Sequence, residues 1–477
     1  MNPAAAAFET PSHLGPTDRR TKKGAAPSPV ASAVSNAARK TLAALTSTVA
    51  ANVTVRDRAA LAGYPQVNQV PYGCAAPGGS RHSRWDDNES VGGSLMARTG
   101  EAPTGLRVLI AGGGVAALET MLALRELAEE RVDIELLAPE PYFWYRPLAV
   151  AEPFQAGEAE HFDLATLADQ VDVGLRLDAL TSIDTDQRIA RTTRGAELPY
   201  DALVLAIGTR SEVGIEGAFT FRGPADVEGY ARILADVEAG IVRRLVFAVP
   251  EAGAWALPVY ELALQTATRL AGRRDVDAEL TIVTSEERPL GLFGRSASAE
   301  VVRLLTDRGI GLQCECLPVA FERGALRVVP DGSIPCDRVV AAPRLRGQPI
   351  EGVPQDSHGF VSADAFGRVR GVPDVYAAGD MTAFPIKQGG IATQQADAVA
   401  SAIAARAGAS VRPEPFRPVL RAILLTGGTP LHLRAEPAGS QTEDSVAADE
   451  FLWWPPAKIA GRYLAPFLAK QLLRSSA

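Results

Sequence analysis

Residues 106–127 read LRVLIAGGGVAALETMLALREL, an apolar run, a glycine turn and an amphipathic run in immediate succession. That order describes a strand turning directly into a helix, the opening unit of a parallel sheet with crossover helices. Gly112, Gly114 and Ala117 take the three small positions of G-x-G-x-x-G/A. The first permits a tight turn, the second lets a pyrophosphate approach the backbone, and the third lets helix meet strand. Gly113, Val115 and Ala116 complete the turn and the helix start, whose amides face phosphate oxygens. A second strand follows in DIELLAPEPYFWYRPL. Its end is where an acid holds ribose hydroxyls; Ala138 stands there, with Glu140 two residues on. Two options stay open: Glu140 reaches the ribose, or backbone groups hold the adenosine end. Arg146 and Pro147 close the stretch as further candidate cofactor contacts.

Two more segments sharpen the nucleotide to FAD. YDALVLAIGTR, 200–210, is a strand ending in Ala206-x-Gly208, where backbone passes close to a bound dinucleotide. DVYAAGDMTAFPIKQGGIATQQADAVASAIAA, 374–405, places Gly379 and Asp380 at a strand end and begins a helix near Gly390. Asp380 can accept hydrogen bonds from ribityl hydroxyls. Lys387, Gln388, Gly389 and the helix N-terminus lie where negative charge on reduced flavin is stabilised. Any one segment also reads as a strand, a turn and a helix with a surface lysine. Three in this order favour flavin binding.

With these residues in place, the chain resembles the FAD-dependent pyridine nucleotide-disulfide oxidoreductase superfamily. Within it, the branch is that of type II NADH:quinone oxidoreductases, sulfide:quinone oxidoreductases and flavocytochrome c sulfide dehydrogenase flavoproteins. The resemblance implies an α/β fold of two Rossmann-like, three-layer dinucleotide-binding domains, the FAD domain split by the second, plus a small C-terminal extension. The expected division is FAD domain 105–218, nicotinamide-type domain 219–330, FAD domain again 331–410 and a C-terminal hairpin and helix 411–477. The implied activity passes electrons from a small-molecule donor through flavin to a quinone or other acceptor. An NAD(P)H:acceptor reductase with a non-standard loop is the rival enzyme, and a flavin-binding partner protein without turnover the rival of another class.

The second domain's loop complicates the donor. Between the strand VFAVP and a helix beginning near Pro258, the chain reads PEAGAWALPV, with Gly253 its only glycine. Trp255 and Pro258 obstruct close approach of a pyrophosphate, and Pro258 has no amide to donate. YELA, 260–263, matches the helix start of the NADH-binding members, with Glu261 on the acidic position. Glu261 is a candidate acid near the flavin or, equally, a solvated or capping glutamate. In the sulfide-oxidising branch, redox cysteines align on Trp255 and Val361, so both thiols are missing here. Cys314 and Cys316 read as alternate residues of a strand, and Cys336 as a core residue at the start of CDRVVAAP.

Composition bounds the rest. A net charge of -8 argues against a nucleic-acid partner. Four cysteines without CxxC spacing and five scattered histidines suggest no disulfide framework and no metal site, and fit a cytoplasmic setting. Residues 1–104 are rich in Ala, Ser, Pro and Gly, with ten Lys and Arg against six Asp and Glu up to Leu95. Disorder is expected there apart from a short helix near 37–50, with Met96 as the expected true start. In the tail, FRPVLRAILLTGGTPLHLRAE reads as a hairpin turning at Gly427-Gly428. The aromatic and basic stretch 451–474 suits docking on its own core, a homodimer, or peripheral contact with a membrane face.

Overall fold

The computed structural model describes residues 105–251, 254–273, 275–330, 332–436 and 445–475. The expectations for 1–104, including the short helix, the start at Met96 and Cys74, lie outside these residues. The chain begins with β1 (Leu106–Ala111), α1 (Val115–Ala128), β2 (Val132–Ala138), β3 (Gly174–Leu177) and β4 (Ala202–Leu205). It continues through β5 (Phe219–Thr220), β6 (Arg244–Ala248), α2 (Leu257–Leu270), β7 (Glu279–Val283), β8 (Gly311–Gln313) and β9 (Arg338–Ala341). Then come β10 (Val375–Ala377), α3 (Gly389–Arg406), β11 (Leu420–Leu424), β12 (Leu431–Ala435) and α4 (Leu464–Ser475).

Two five-stranded sheets result, ordered β10-β4-β1-β2-β3 and β5-β9-β6-β7-β8. Every pairing within both is parallel. Strands buried on both faces need near-continuous apolar runs, and β4, with all four residues buried, is such a run. In the first sheet the order reverses between β1 and β4, and in the second between β6 and β9, which opens a crevice at each switch point. This is the expected pair of Rossmann-like units. One boundary differs: Arg338–Ala341 lies beyond 330, yet pairs with β6 in the second sheet. Its apolar pattern identifies a strand, while its sheet depends on a long-range return that no local pattern encodes.

Cores follow the layers. α1 and α3 lie together over one face of the first sheet, with Met121, Leu124, Val399 and Ile403 fully buried. Around the second sheet, α2 buries Tyr260, Ala263 and Leu264 with Phe247 and Phe293. β11 and β12 form the expected antiparallel hairpin. α4 buries Leu464 and Leu468 in the same core as residues of α1 and α3, the first of the three readings of the tail. No helix among the described residues is long and apolar enough to cross a membrane.

Candidate dinucleotide site

Gly112 follows β1, donates its N–H to Leu137 O at 2.8 Å and adopts φ +130°. A Cβ there would sit 2.2 Å from Ala206 O, so the ends of β1 and β4 can meet only over a glycine. Gly113 has a packing reason the sequence hid: its Cβ would fall 2.8 Å from Leu164 Cδ1. Gly114 is different, because a Cβ there meets nothing within 4 Å. It precedes α1, whose N-terminus has no side-chain cap, so no capping side chain claims the amides of that first turn. Ala116 and Ala117 are buried, Val115 is half-buried, and Gly379 comes within 2.9 Å of Ala116 Cβ where its own Cβ would be. The first and last candidate segments thus form one cradle, with Gly208 (φ +69°) and open space on the β4 side.

Around it, Glu140 is exposed just beyond β2. Arg146 is exposed and Pro147 half-buried in a short turn, Arg146–Leu148. Asp380 accepts no hydrogen bond among the described residues. Burial pushes its carboxyl above the usual range, opposed by the charges of Lys387 and Arg146. Lys387 donates from Nζ to Thr382 O at 2.5 Å and Phe384 O at 2.8 Å, and sits 3.9 Å over the Phe360 ring. Desolvation lowers its pKa to about 8, against the raising effect of Asp380 and Asp356. Its ammonium protons are thus engaged by the protein, with Asp380 and Asp356 as the nearby opposite charges.

Gln388, a candidate cofactor contact, also caps α3: Oε1 accepts from Ile391 N at 3.1 Å, and Nε2 donates to Arg421 O at 2.7 Å. Two expectations change. Glu261 is neither solvated nor a free acid. It is 1% exposed, ion-paired with Lys458 Nζ at 2.5 Å and accepting from Leu425 N at 2.9 Å. Burial raises its pKa, and the Lys458 charge opposes that. Cys314 and Cys316 do not share a strand; they follow β8 in a connection where Glu315 takes φ 55°, and both are half-buried. Cys336 is fully buried, as a core residue should be.

The thiol positions are filled by other chemistry. Val361 is fully buried, its N–H donating to Met381 O at 3.0 Å. Trp255 packs on Phe293 with ring centroids 6.0 Å apart, ahead of an α2 that carries Pro258 in its first turn. What the sequence missed is the stretch 458–464, which reaches Glu261, Tyr145, α3 and α1. Only its basic and apolar alternation signalled a role, without saying what it touches.

Among curated proteins, the chain is 28% identical over 207 residues to a sulfide-quinone reductase of Aquifex aeolicus, 42% of this chain and 47% of that protein. It thus spans about half of that relative's length. It is also 26% identical over 338 residues to the ferredoxin reductase component of a Cupriavidus chlorobenzene dioxygenase, 64% of this chain and 75% of that protein. The solved Aquifex aeolicus sulfide:quinone oxidoreductase superposes with a TM-score of 0.66 at 22% identity, over 77% of this chain and 90% of that one. The ferredoxin reductase of the Rhodopseudomonas palustris CYP199A2 system gives 0.55 at 20% identity, over 70% and 84%. Those two likenesses carry the fold. The profile of the pyridine nucleotide-disulphide oxidoreductase family matches residues 106–405, the whole span from β1 to the end of α3, and the chain belongs to that family of FAD-dependent oxidoreductases.

Proposed function

We propose that the protein binds FAD in the cradle of Gly112–Ala117, Ala206, Gly208, Gly379 and Asp380, and transfers electrons through it from a small-molecule donor to a quinone or another acceptor. The observation that carries the placement is the open space at Gly114 beside an uncapped helix start. An unpartnered Asp380 carboxylate and nearby Lys387 fit ribityl hydroxyls and a flavin edge. When bound, FAD supplies the two-electron chemistry. The chain's own residues hold the pyrophosphate by backbone amides, orient the ribityl chain and keep a positive charge near the flavin's pyrimidine side. The sulfur-adduct route has no thiol pair at Trp255 and Val361, so the donor reduces flavin directly. The runner-up, NAD(P)H as donor, is supported by an intact parallel second sheet and by relatives named as reductase components of dioxygenase systems. Anaerobic mixing of the purified protein with NADH, NADPH or sulfide, watching flavin absorbance, separates these donors. No reduction by any of them moves the donor outside all three classes.

Two variants test the residues. Asp380→Ala should weaken FAD binding by about 1.5–3 kcal/mol, the range for a hydrogen bond to a charged partner. Titration of the apoprotein with FAD reads this, and unchanged affinity removes Asp380 from the site. Lys387→Met should lower the rate of flavin turnover roughly tenfold below pH 8, about 1.4 kcal/mol of lost charge stabilisation. In the parent the rate should fall as pH rises through about 8, where Lys387 loses its proton. That break should be absent from the variant's pH profile.

A further inference from the structure

The C-terminal stretch forms a strap tied down at both ends by buried carboxylates. At one end Lys458, 8% exposed, is paired with Glu261 of α2. Next, Ile459 N donates to Tyr145 Oη at 3.0 Å, and Tyr145 adjoins the candidate contact Arg146. Ile459 covers the start of α3, where a Cβ on Gly389 would fall 2.9 Å from its Cγ1. Ala460 O accepts from Thr393 Oγ1 at 3.3 Å. At the other end Glu119 of α1 accepts from Tyr463 N at 2.9 Å and Leu464 N at 2.6 Å, and Gly461 passes so close that its Cβ would fall 2.7 Å from Glu119 Oε2. One short segment therefore spans the second unit's helix and both helices that open on the cradle.

We propose that Lys458 is a positioning residue, which through Glu261 holds residues 458–464 as a wall over the first turn of α3 and so keeps water and free exchange away from bound FAD. The inference rests on the placement of FAD given above. The physical reason is an asymmetry of buried ion pairs. Removing one partner strands a charge in an apolar interior, whereas replacing both by neutral groups of similar size is well tolerated. Lys458→Met alone leaves Glu261 to recruit water or a proton, and either frees the strap. A double variant, Glu261→Gln with Lys458→Met, has no charge to strand and keeps the strap seated.

The test uses full-length, FAD-loaded protein at about pH 8. It reads the rate of FAD release into excess apo-acceptor protein and the quenching of flavin fluorescence by iodide. Lys458→Met is expected to release FAD at least about tenfold faster and to quench more steeply, with far-UV circular dichroism unchanged. Lys458→Arg should stay close to the parent, and the double variant should recover most of the loss. Release and quenching within about twofold of the parent in Lys458→Met would overturn the proposal. A double variant as leaky as the single one would overturn it too, by showing that the ammonium acts on the flavin itself rather than on the strap. If Lys458→Met does not fold, the Arg and double variants carry the same comparison. Retention of FAD by Gly114→Trp would refute the cofactor placement and this inference together, whereas a yellow parent with an inert Lys458→Met refutes the strap alone.

Discussion

Gly114→Trp is expected to purify as a folded, colourless protein. Its backbone, φ -96° and ψ -167°, is open to any residue, and the space beyond a Cβ holds no protein atom within 4 Å. The indole therefore costs the fold little and fills the volume proposed for the pyrophosphate. Flavin absorbance per chain should drop from near stoichiometric to near zero, with circular dichroism and solubility retained. Gly112→Ala is the contrasting case, since its Cβ would strike Ala206 O at 2.2 Å in a φ +130° conformation. That variant should lose at least about 3 kcal/mol and fail as a fold, because backbone strain of that kind adds to the steric overlap. Two neighbouring glycines, one for cofactor and one for chain, are thus separable by experiment. Stoichiometric FAD in Gly114→Trp would remove the loop from the cofactor site.

Asp397→Asn is expected to abolish a fall in stability with rising pH. Asp397 of α3 is hydrogen-bonded to Glu119, and burial, then the Glu119 charge, push its pKa up to about 8, against the opposing charge of Arg462. Glu414 adds a further raising charge. Burial raises the pKa of Glu119 as well, but backbone amides of residues 462–464 donate to it at the start of α4 and oppose that rise, which favours the negative charge on Glu119. Asp397 keeps the proton, and its Oδ1 is buried without a partner, as a neutral acid tolerates better than a carboxylate. The folded state thus binds a proton that the unfolded chain releases near the ordinary aspartate value. The stabilisation is complete below that value, declines as pH rises and is gone above about 8. The slope is on the order of 1 kcal/mol per pH unit across the neutral range. Asparagine still donates to Glu119 but does not titrate. Thermal midpoints from about pH 6 to pH 9 should therefore converge or cross, the variant gaining several degrees on the parent at the alkaline end. Parallel pH profiles for parent and variant would show that the pair does not share a proton.

Much of this molecule is written locally. The glycine turn, the strand ends at Gly208 and Gly379, the helix starts at Pro258 and Gly389 and the hairpin at Gly427 each depend on a handful of consecutive residues. Their φ/ψ needs and apolar periods are readable from the chain alone. The missing thiols at Trp255 and Val361 were legible as well, but only through the resemblance that aligns those positions on the cysteines of the sulfide-oxidising branch. Tertiary structure alone decided who partners whom. Nothing near Glu261 in sequence foretells a lysine 197 residues away, nor near Glu119 a helix start 345 residues on. CDRVVAAP shows a strand but not that Arg338–Ala341 joins the second sheet. Gln388 stands before a helix in the sequence, but nothing there shows that its amide caps α3 and reaches Arg421 O. The physical reason is common to all four. Burial turns a charge or a polar group into a demand for a specific partner, and only the folded chain determines which groups are buried together.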